Sequence, residues 1–426
     1  MAKIKPFKAV VYNQEKVKDL SNVLCPPYDV ISQAGQRRYQ SLSPYNFIHI
    51  LLGRDIPGDD KYQRAAKYFN TWQKSRILIQ DEKPAIYFYS QQFSVKGVKM
   101  QRLGFISLLE LTDSNPTVFG HEHTRLEPKE DRARLLKKVK ASLSPIFAIF
   151  TDKERLIQQV YKKYIENEAP FITVTDEEKV VHKLWRVDSP EVIAKIQDKM
   201  ENENIFIADG HHRYEVACAY RQERNKRLKK IADGADYNYI LAYFTSTDPR
   251  SLSIFPIHRL VKLSRDIDMQ ELKDKLQDYF DAEEVREKSR FFFSMEKGGR
   301  TEHLIGAYKD KKFLILRLKN IKMLDKLMGD KPEEYRTLDV AILNHIVLKS
   351  ILGLNPDDKE SIIFMPNAEE VISRVDLAAD PYIAFLLNPA KIEQIIAVAL
   401  RGQKMPSKST YFYPKVLSGM VVNKFK

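Results

Sequence analysis

The chain is expected to fold as an α+β protein with mixed sheets and flanking helices, because period-two apolar runs, amphipathic helical stretches and hairpin turns alternate along it without any internal repeat. Hydrophobic residues make up 43% and charged residues 30% of its 426 positions, a globular balance that sets aside a largely disordered chain. A chain of this length exceeds the usual single core, so two or three lobes are expected.

KAVVYN reads as a strand, CPPYDVIS as an irregular loop stiffened by Pro26 and Pro27, and NFIHILLG as a second strand. From about Asp59 to Leu78 an acidic start and apolar residues at Tyr62, Ala65, Ala66, Phe69 and Trp72 give a helical stripe. AIYFYSQQFSV and MQRLGFISLLEL flank a Lys-Gly pair and read as a hairpin. The middle third reads helix PKEDRARLLKKVKA, strand PIFAIF, helix ERLIQQVYKKYIE, strands FITVT and VVHKLWRV, then helix SPEVIAKIQDKM. That last helix opens with Ser189 as N-cap and Pro190 in its first turn, where the missing N–H costs nothing. Strand IFIAD leads into a basic helix running to about Lys230. Strands DYNYILAYFTST and SIFPIHRLVKL, helix DMQELKDKLQDYF, sheet HLIGAYKDKKFLILRL and helix LDVAILNHIVLKSIL complete the series. Boundaries near residues 113 and 265 give an N-terminal α+β lobe (1–113), a phosphate-binding core (114–265) and a C-terminal α+β lobe (266–426).

No apolar run approaches the roughly 20 residues that cross a bilayer, and MAKIKPFKAV lacks the apolar stretch of a signal peptide, so a cytoplasmic location is expected. Cys25 and Cys218 lack the paired spacing of a zinc ribbon or redox motif and read as incidental thiols. The net charge of +13 favours an anionic partner. Basic residues are nevertheless interspersed with acids, with no concentrated stripe and no convincing helix-turn-helix, which argues against nucleic acid; small phosphorylated ligands would also suit a locally basic cleft, and the charge does not identify the anion.

Residues 205–215, IFIADGHHRYE, carry the sharpest signal. A buried strand ends at Asp209 and Gly210 and a helix begins, so free N–H groups and the positive dipole end point out of the strand's carboxyl edge, where an anion can sit. Gly210 permits positive φ or close backbone approach, Arg213 offers a planar fork for phosphate oxygens, and His211 and His212 donate hydrogen bonds or shuttle a proton. The bland reading makes Asp209 a helix cap and Arg213 a wet surface residue.

Other clusters can contribute. Tyr28 and Asp29 sit on the Pro-stiffened loop as possible substrate contacts. GHEHT supplies His121, Glu122, His123 and Thr124, with Lys129, Asp131 and Arg132 opening the next helix. His258 and Arg259 lie at a strand end, and Lys408, Ser409, Thr410 and Lys415 form a candidate phosphate or carboxylate cradle that lacks the glycines of a Walker A loop. His121 and His123 with His211 or His258 would make a zinc set, but the spacing matches no standard motif. Mg2+ held mainly by substrate phosphates, with Asp209 as a candidate ligand, is preferred.

The turn IADGHHR resembles the phosphate-binding turn of the ParB/sulfiredoxin-like superfamily and is closest to that of the free serine kinases. Along its length the chain resembles a bacterial family catalogued as domain of unknown function 1015, with CPPYDVIS, GHEHT followed by PKEDR, ADGHHRYE, FPIHRLV and MPSKSTYFYPK in that family's order. The resemblance implies a ParB/sulfiredoxin-like nucleotide-binding core and ATP or ADP with Mg2+ as cofactor. It also implies phosphoryl transfer to or from a small hydroxyl metabolite, serine or phosphoserine first, with catalytic roles for Glu122, Asp209, His211 and His212. His121 and Glu122 match the His-Glu pair that supplies the kinases' base, with a longer stretch before the turn. The alternatives are a phosphatase or metal-dependent hydrolase that needs no nucleotide, and a ParB-like nucleotide-dependent DNA-binding protein.

Overall fold

Residues 2–111, 117–228 and 234–426 are described by the computed structural model, and their packing falls into two units that are discontinuous in sequence. The first comprises Met1–Gly120, Thr124–Ser253 and Pro414–Lys426; the second comprises His121–His123 and Ile254–Tyr413. A division by position at 265 does not represent this interleaving. The boundary near 113 and the expected helix end at Lys230 lie outside the described residues.

In the first unit the strands are β1 (Ile4–Lys5), β2 (Ile86–Val95), β3 (Val98–Glu110), β4 (Val118–Gly120), β5 (Ile146–Phe150), β6 (Ile172–Thr175), β7 (Val181–Val187), β8 (Ile205–Asp209) and β9 (Tyr239–Ser246). They form one mixed sheet in the order β4-β8-β5-β9-β3-β2-β7-β6, with β1 also on β3. The β8/β4 and β9/β5 pairs are parallel, and the others are antiparallel. Lys96 and Gly97, both at positive φ, close the β2–β3 hairpin. Positive φ at both turn residues matches the twist of the strands they join.

One sheet face carries Phe88, Phe105, Ile146, Ala148, Ile207 and Phe244, which pack with residues of the helical stretch from Leu156 and of the helix Pro190–Glu201. The pleat sends the intervening residues, including Gln91, Arg102, Phe147 and Tyr243, to the other face. Three helices pack in series: α1 (Lys61–Lys74) on α2 (Leu126–Val139), and α2 on α3 (His211–Leu228). Asp60 starts α1 by accepting from the N–H groups of Tyr62 (2.8 Å) and Gln63 (3.2 Å).

The second unit has a six-stranded antiparallel sheet built from Phe280–Val285, Lys312–Leu318, Leu304–Lys309, Tyr382–Leu387, His258–Lys262 and Ile362–Met365 in that order. Helices Lys288–Gly298 and Ala368–Leu377 bury Phe291, Met295, Val371 and Ile372 against it. The fold class is therefore α+β with mixed sheets and flanking helices.

Several elements differ from the sequence reading, among them ERLIQQVYKKYIE, which is α over Leu156–Val160 and a π-helix over Tyr161–Ile165, and SIFPIHRLVKL, which forms two strands, Ser253–Phe255 and His258–Lys262. NFIHILLG forms a short helix, Ile48–Leu51, in place of a strand, because Asn46 Oδ1 accepts the Ile48 N–H (3.0 Å) and Ile48, Ile50 and Leu51 are all buried. The helix expected over LDVAILNHIVLKSIL starts as α at Asp339–Ile342 and widens to a π-helix over Leu343–Ile351.

Gly104, mid-β3, pairs with Thr245, and a Cβ there would meet the Phe244 carbonyl and the Tyr243 ring. Gly104→Ala is expected to destabilise the first unit by about 1–3 kcal/mol, the usual cost of overpacking, and urea unfolding measures it. A change under about 0.5 kcal/mol, the range of neutral surface substitutions, would contradict this close approach.

Candidate functional site

Apolar β8 carries the chain through the sheet to Asp209, Gly210 turns it at φ +92, and α3 begins at His211. Only glycine adopts that φ without strain. A Cβ at Gly210 would also lie 2.9 Å from the Arg213 guanidinium, which packs flat over the turn. The first N–H groups of a helix lack intrahelical acceptors, so the turn presents donors and a positive dipole end at the strand's edge.

Three charges converge there. Asp209 Oδ2 accepts from Arg213 Nη2 at 2.7 Å, and Asp209 Oδ1 accepts from Lys415 Nζ at 2.6 Å. The Asp209, Arg213 and Lys415 side chains are 14%, 10% and 11% exposed, so the group is largely withdrawn from water. Burial pushes the Asp209 carboxyl up, but the Lys415 ammonium and then the Arg213 guanidinium outweigh it and hold the carboxyl well below the usual carboxylate range. One carboxylate between two cations leaves a net single positive charge at a helix start, an electrostatic preference for an anion.

The geometry corrects several sequence expectations. Arg213 is not a free fork: Nη1 donates to the Pro145 carbonyl and Nη2 to Asp209, leaving Nε without a partner among the described residues. Both Asp209 oxygens already accept from cations, so a divalent ion would be a third positive charge on one carboxylate, and Asp209 does not fit a metal-ligand role. Among the described residues no group of three or more His, Cys, Asp or Glu side chains is arranged to hold a metal. His212 Nε2 accepts the Arg125 backbone N–H at 2.9 Å, so that nitrogen carries no proton and the ring fixes the start of α2. Thr124 Oγ1 and Lys129 Nζ both donate to Glu215 Oε2, at 2.5 and 3.2 Å, which ties the same segment to α3. His211 is buried beside Asp209 and adds to the positive potential on it.

Lys415 belongs with this turn and not with Lys408, Ser409 and Thr410, which fall in the second unit. Its place is set by two residues that sequence reasoning missed. Gln91 Nε2 donates to the Lys415 carbonyl at 2.9 Å, and Arg102 Nη2 donates to the Pro414 carbonyl. Arg102 Nε also donates to Gln91 Oε1 at 3.0 Å, and the guanidinium lies over the Phe147 ring, 4.5 Å from its centroid. The available signal was Gln91 and Arg102 interrupting otherwise apolar faces of β2 and β3.

Tyr28 lies in the first unit with its ring 4.2 Å from the Arg132 guanidinium carbon. Burial, then the neighbouring Asp29, pushes the Tyr28 phenol up, so it stays a proton donor. Asp29 is exposed on the same short 3-10 turn. Arg132 donates to the Leu51 carbonyl (2.7 Å) and Asp131, which also accepts from Tyr62 Oη at 2.8 Å.

Within the second unit three separated motifs meet. The His121 carbonyl accepts from Met405 N–H at 2.7 Å, and Glu122 pairs with Met405 as a parallel bridge. His121 Nε2 lies 3.3 Å from Thr410 Oγ1, and Arg259 Nη2 donates to the Ser407 carbonyl at 3.2 Å. Lys408 is at φ +55, and Ser409 Oγ donates to the Pro406 carbonyl at 2.5 Å. Glu122 is partly exposed and His123 exposed, whereas His121, His258 and Arg259 are buried. His258 is a structural acceptor: its Nδ1 takes the Leu387 N–H at 3.1 Å. Burial and then the adjacent Arg259 lower its pKa from 6.5 to about 4. Burial also brings Arg259 down to about 9, only partly offset by Asp357.

The first unit is thus an α+β scaffold that builds a cationic, glycine-containing turn at a helix start. The chain belongs to the family described as Protein of unknown function (DUF1015), whose model matches residues 4–341. No curated protein matches it. Among solved structures it is similar to a free serine kinase in complex with AMP, at 13% identity over 70% of this chain and 83% of that one, with a TM-score of 0.32. It is also similar to SbnI with C-terminal truncation from Staphylococcus aureus, at 11% identity over 74% and 86%, TM-score 0.38. A conserved hypothetical protein from Pyrococcus furiosus matches at 11% identity over 70% and 87%, TM-score 0.32. These likenesses are distant, and the turn is defined by its own geometry.

Asp209→Asn leaves two buried cations uncompensated and is expected to cost about 3–5 kcal/mol at neutral pH. Because the folded carboxyl titrates below its unfolded value near 3.9, this contribution is full above about pH 4 and disappears as acid protonates the wild type. Urea unfolding at pH 7 and at pH 3 should therefore give a gap between the two proteins that narrows at pH 3; a gap independent of pH contradicts the ion-pair account. His258 works in the opposite region. With a folded pKa of about 4, the unfolded chain binds a proton first as pH falls below 6.5, so stability drops by up to about 1.4 kcal/mol per pH unit. His258→Gln should flatten that slope between pH 6.5 and 4.5.

Proposed function

We propose that this protein transfers a phosphoryl group between a nucleotide, ATP or ADP, and a small hydroxyl metabolite, with serine or phosphoserine as the first candidate. The observation that carries the reading is the Asp209–Gly210 turn, where buried Arg213 and Lys415 leave a net positive charge beside the start of α3. The motif resemblance supplies the choice of serine.

Nucleotide phosphates would accept hydrogen bonds from N–H groups at the helix start, with Lys415 and Arg213 supplying charge and Asp209 fixing both cations in position. Any Mg2+ enters on the nucleotide's own phosphates as part of the substrate. The substrate hydroxyl oxygen attacks the terminal phosphorus, forming a P–O bond as the bond to the nucleotide's bridging oxygen breaks. The hydroxyl proton goes to a general base, a role that only the motif resemblance gives to Glu122, and the nucleotide leaves one phosphate shorter. Reversal of the same steps phosphorylates the nucleotide from phosphoserine.

Thermal unfolding with each nucleotide tests the reading. ATP or ADP near 100 times its Kd stabilises the folded chain by about 2.7 kcal/mol, a readily visible rise in Tm. Arg213→Ala and Lys415→Met should abolish the rise. Where a nucleotide binds, Glu122→Gln should lower serine or phosphoserine turnover by about 10²–10⁴-fold, as expected for loss of a general base, while leaving the thermal shift intact. No shift with any nucleotide sinks the proposal. Release of inorganic phosphate from phosphoserine without nucleotide would point to a hydrolase.

A further inference from the structure

Beside the turn, the first unit holds a cleft that opens to solvent. Its floor along α3 is Arg213, Val216, Ala217 and Tyr220. That i, i+3, i+4, i+7 spacing is a single stripe, about 10 Å long at the helical rise, and it begins in the helix's first turn. Leu135 and Leu136 of α2 face it, and Tyr239 and Phe425 complete the walls.

We infer that this cleft receives the planar heteroaromatic base of the nucleotide whose phosphates occupy the turn, an inference that rests on the function proposed above. Three features select that occupant. The cleft and the turn share Arg213, whose Nη2 holds Asp209, so a ligand anchored by phosphate at the helix start extends along the stripe. The walls offer flat aromatic surface: Tyr220 stacks on Phe425 with centroids 6.2 Å apart at 24° and meets Tyr237 edge-on at 6.3 Å and 89°. Every base has a face that such rings accept. The two serines of its lining are engaged within the protein, Ser142 Oγ accepting the Leu241 N–H at 3.3 Å and Ser144 Oγ donating to Ser418 Oγ at 2.7 Å.

Calorimetric titration of the full chain with ADP and with inorganic pyrophosphate, each as its Mg2+ complex, tests this. Ala217→Phe fills the cleft and Tyr220→Ala removes its stacking surface, and the Tm of each variant reports whether it is folded. ADP affinity is expected to fall about tenfold or more in both variants while pyrophosphate affinity stays within about twofold of wild type. Unchanged ADP affinity in both variants overturns the inference. So does an equal loss of ADP and pyrophosphate affinity in folded variants, or a wild type that binds pyrophosphate as tightly as ADP. A wild type that binds neither ligand overturns the turn assignment itself, and the cleft assignment falls with it.

Discussion

A single carboxylate, Asp209, gathers a strand end, a helix start and a segment some two hundred residues further along the chain, and the candidate site depends on that junction. Its two oxygens hold Arg213 from the first turn of α3 and Lys415 from the segment that returns after the second unit. Neither cation could be kept so far from water alone, since an unpaired buried charge is costly. The carboxylate in turn stays ionised because both cations face it. The result is a fixed positive site whose charges need no rearrangement when an anion arrives, which is the condition under which electrostatic stabilisation is most effective.

Support for this junction extends into the sheet. Gln91 and Arg102 hold the backbone of residues 414 and 415, and Arg102 itself rests on the Phe147 ring. His212 and Glu215, from the first turns of α3, fix the segment that opens α2. Residues that look chemically available in the sequence are thus partly consumed by architecture. The second unit follows the same logic: it unites GHEHT, FPIHRLV and MPSKST through backbone hydrogen bonds, with His258 buried as an acceptor and Glu122 left partly exposed.

Much of the fold was legible in the sequence. The β2–β3 hairpin followed from alternation around Lys-Gly, the α1 helix from its apolar stripe and acidic start, and the β8–turn–α3 unit from a buried run broken at Asp209 and Gly210. These depend on local periodicity and turn chemistry, which neighbouring residues carry by themselves. NFIHILLG misled because a short apolar run suits a buried strand or a buried helix equally, and the Asn46 cap decides between them. The interleaving of the two units was not legible, since no composition shift marks the crossings at residues 120, 124, 253 and 414.

By itself the sequence determined that a glycine turn joins an apolar strand to a helix rich in basic residues, the local pattern from which anion binding is expected. Helix dipoles, glycine conformations and hydrogen-bonding side chains are properties of a few consecutive residues. Tertiary structure alone decided which charges meet there. It paired Lys415 with Asp209 and parted it from Lys408, Ser409 and Thr410, turned Arg213 back onto the carboxylate, and gave His212 to the Arg125 backbone. The reason is physical: a buried charge must find its counter-charge wherever the folded chain brings one, and sequence separation places no limit on that choice.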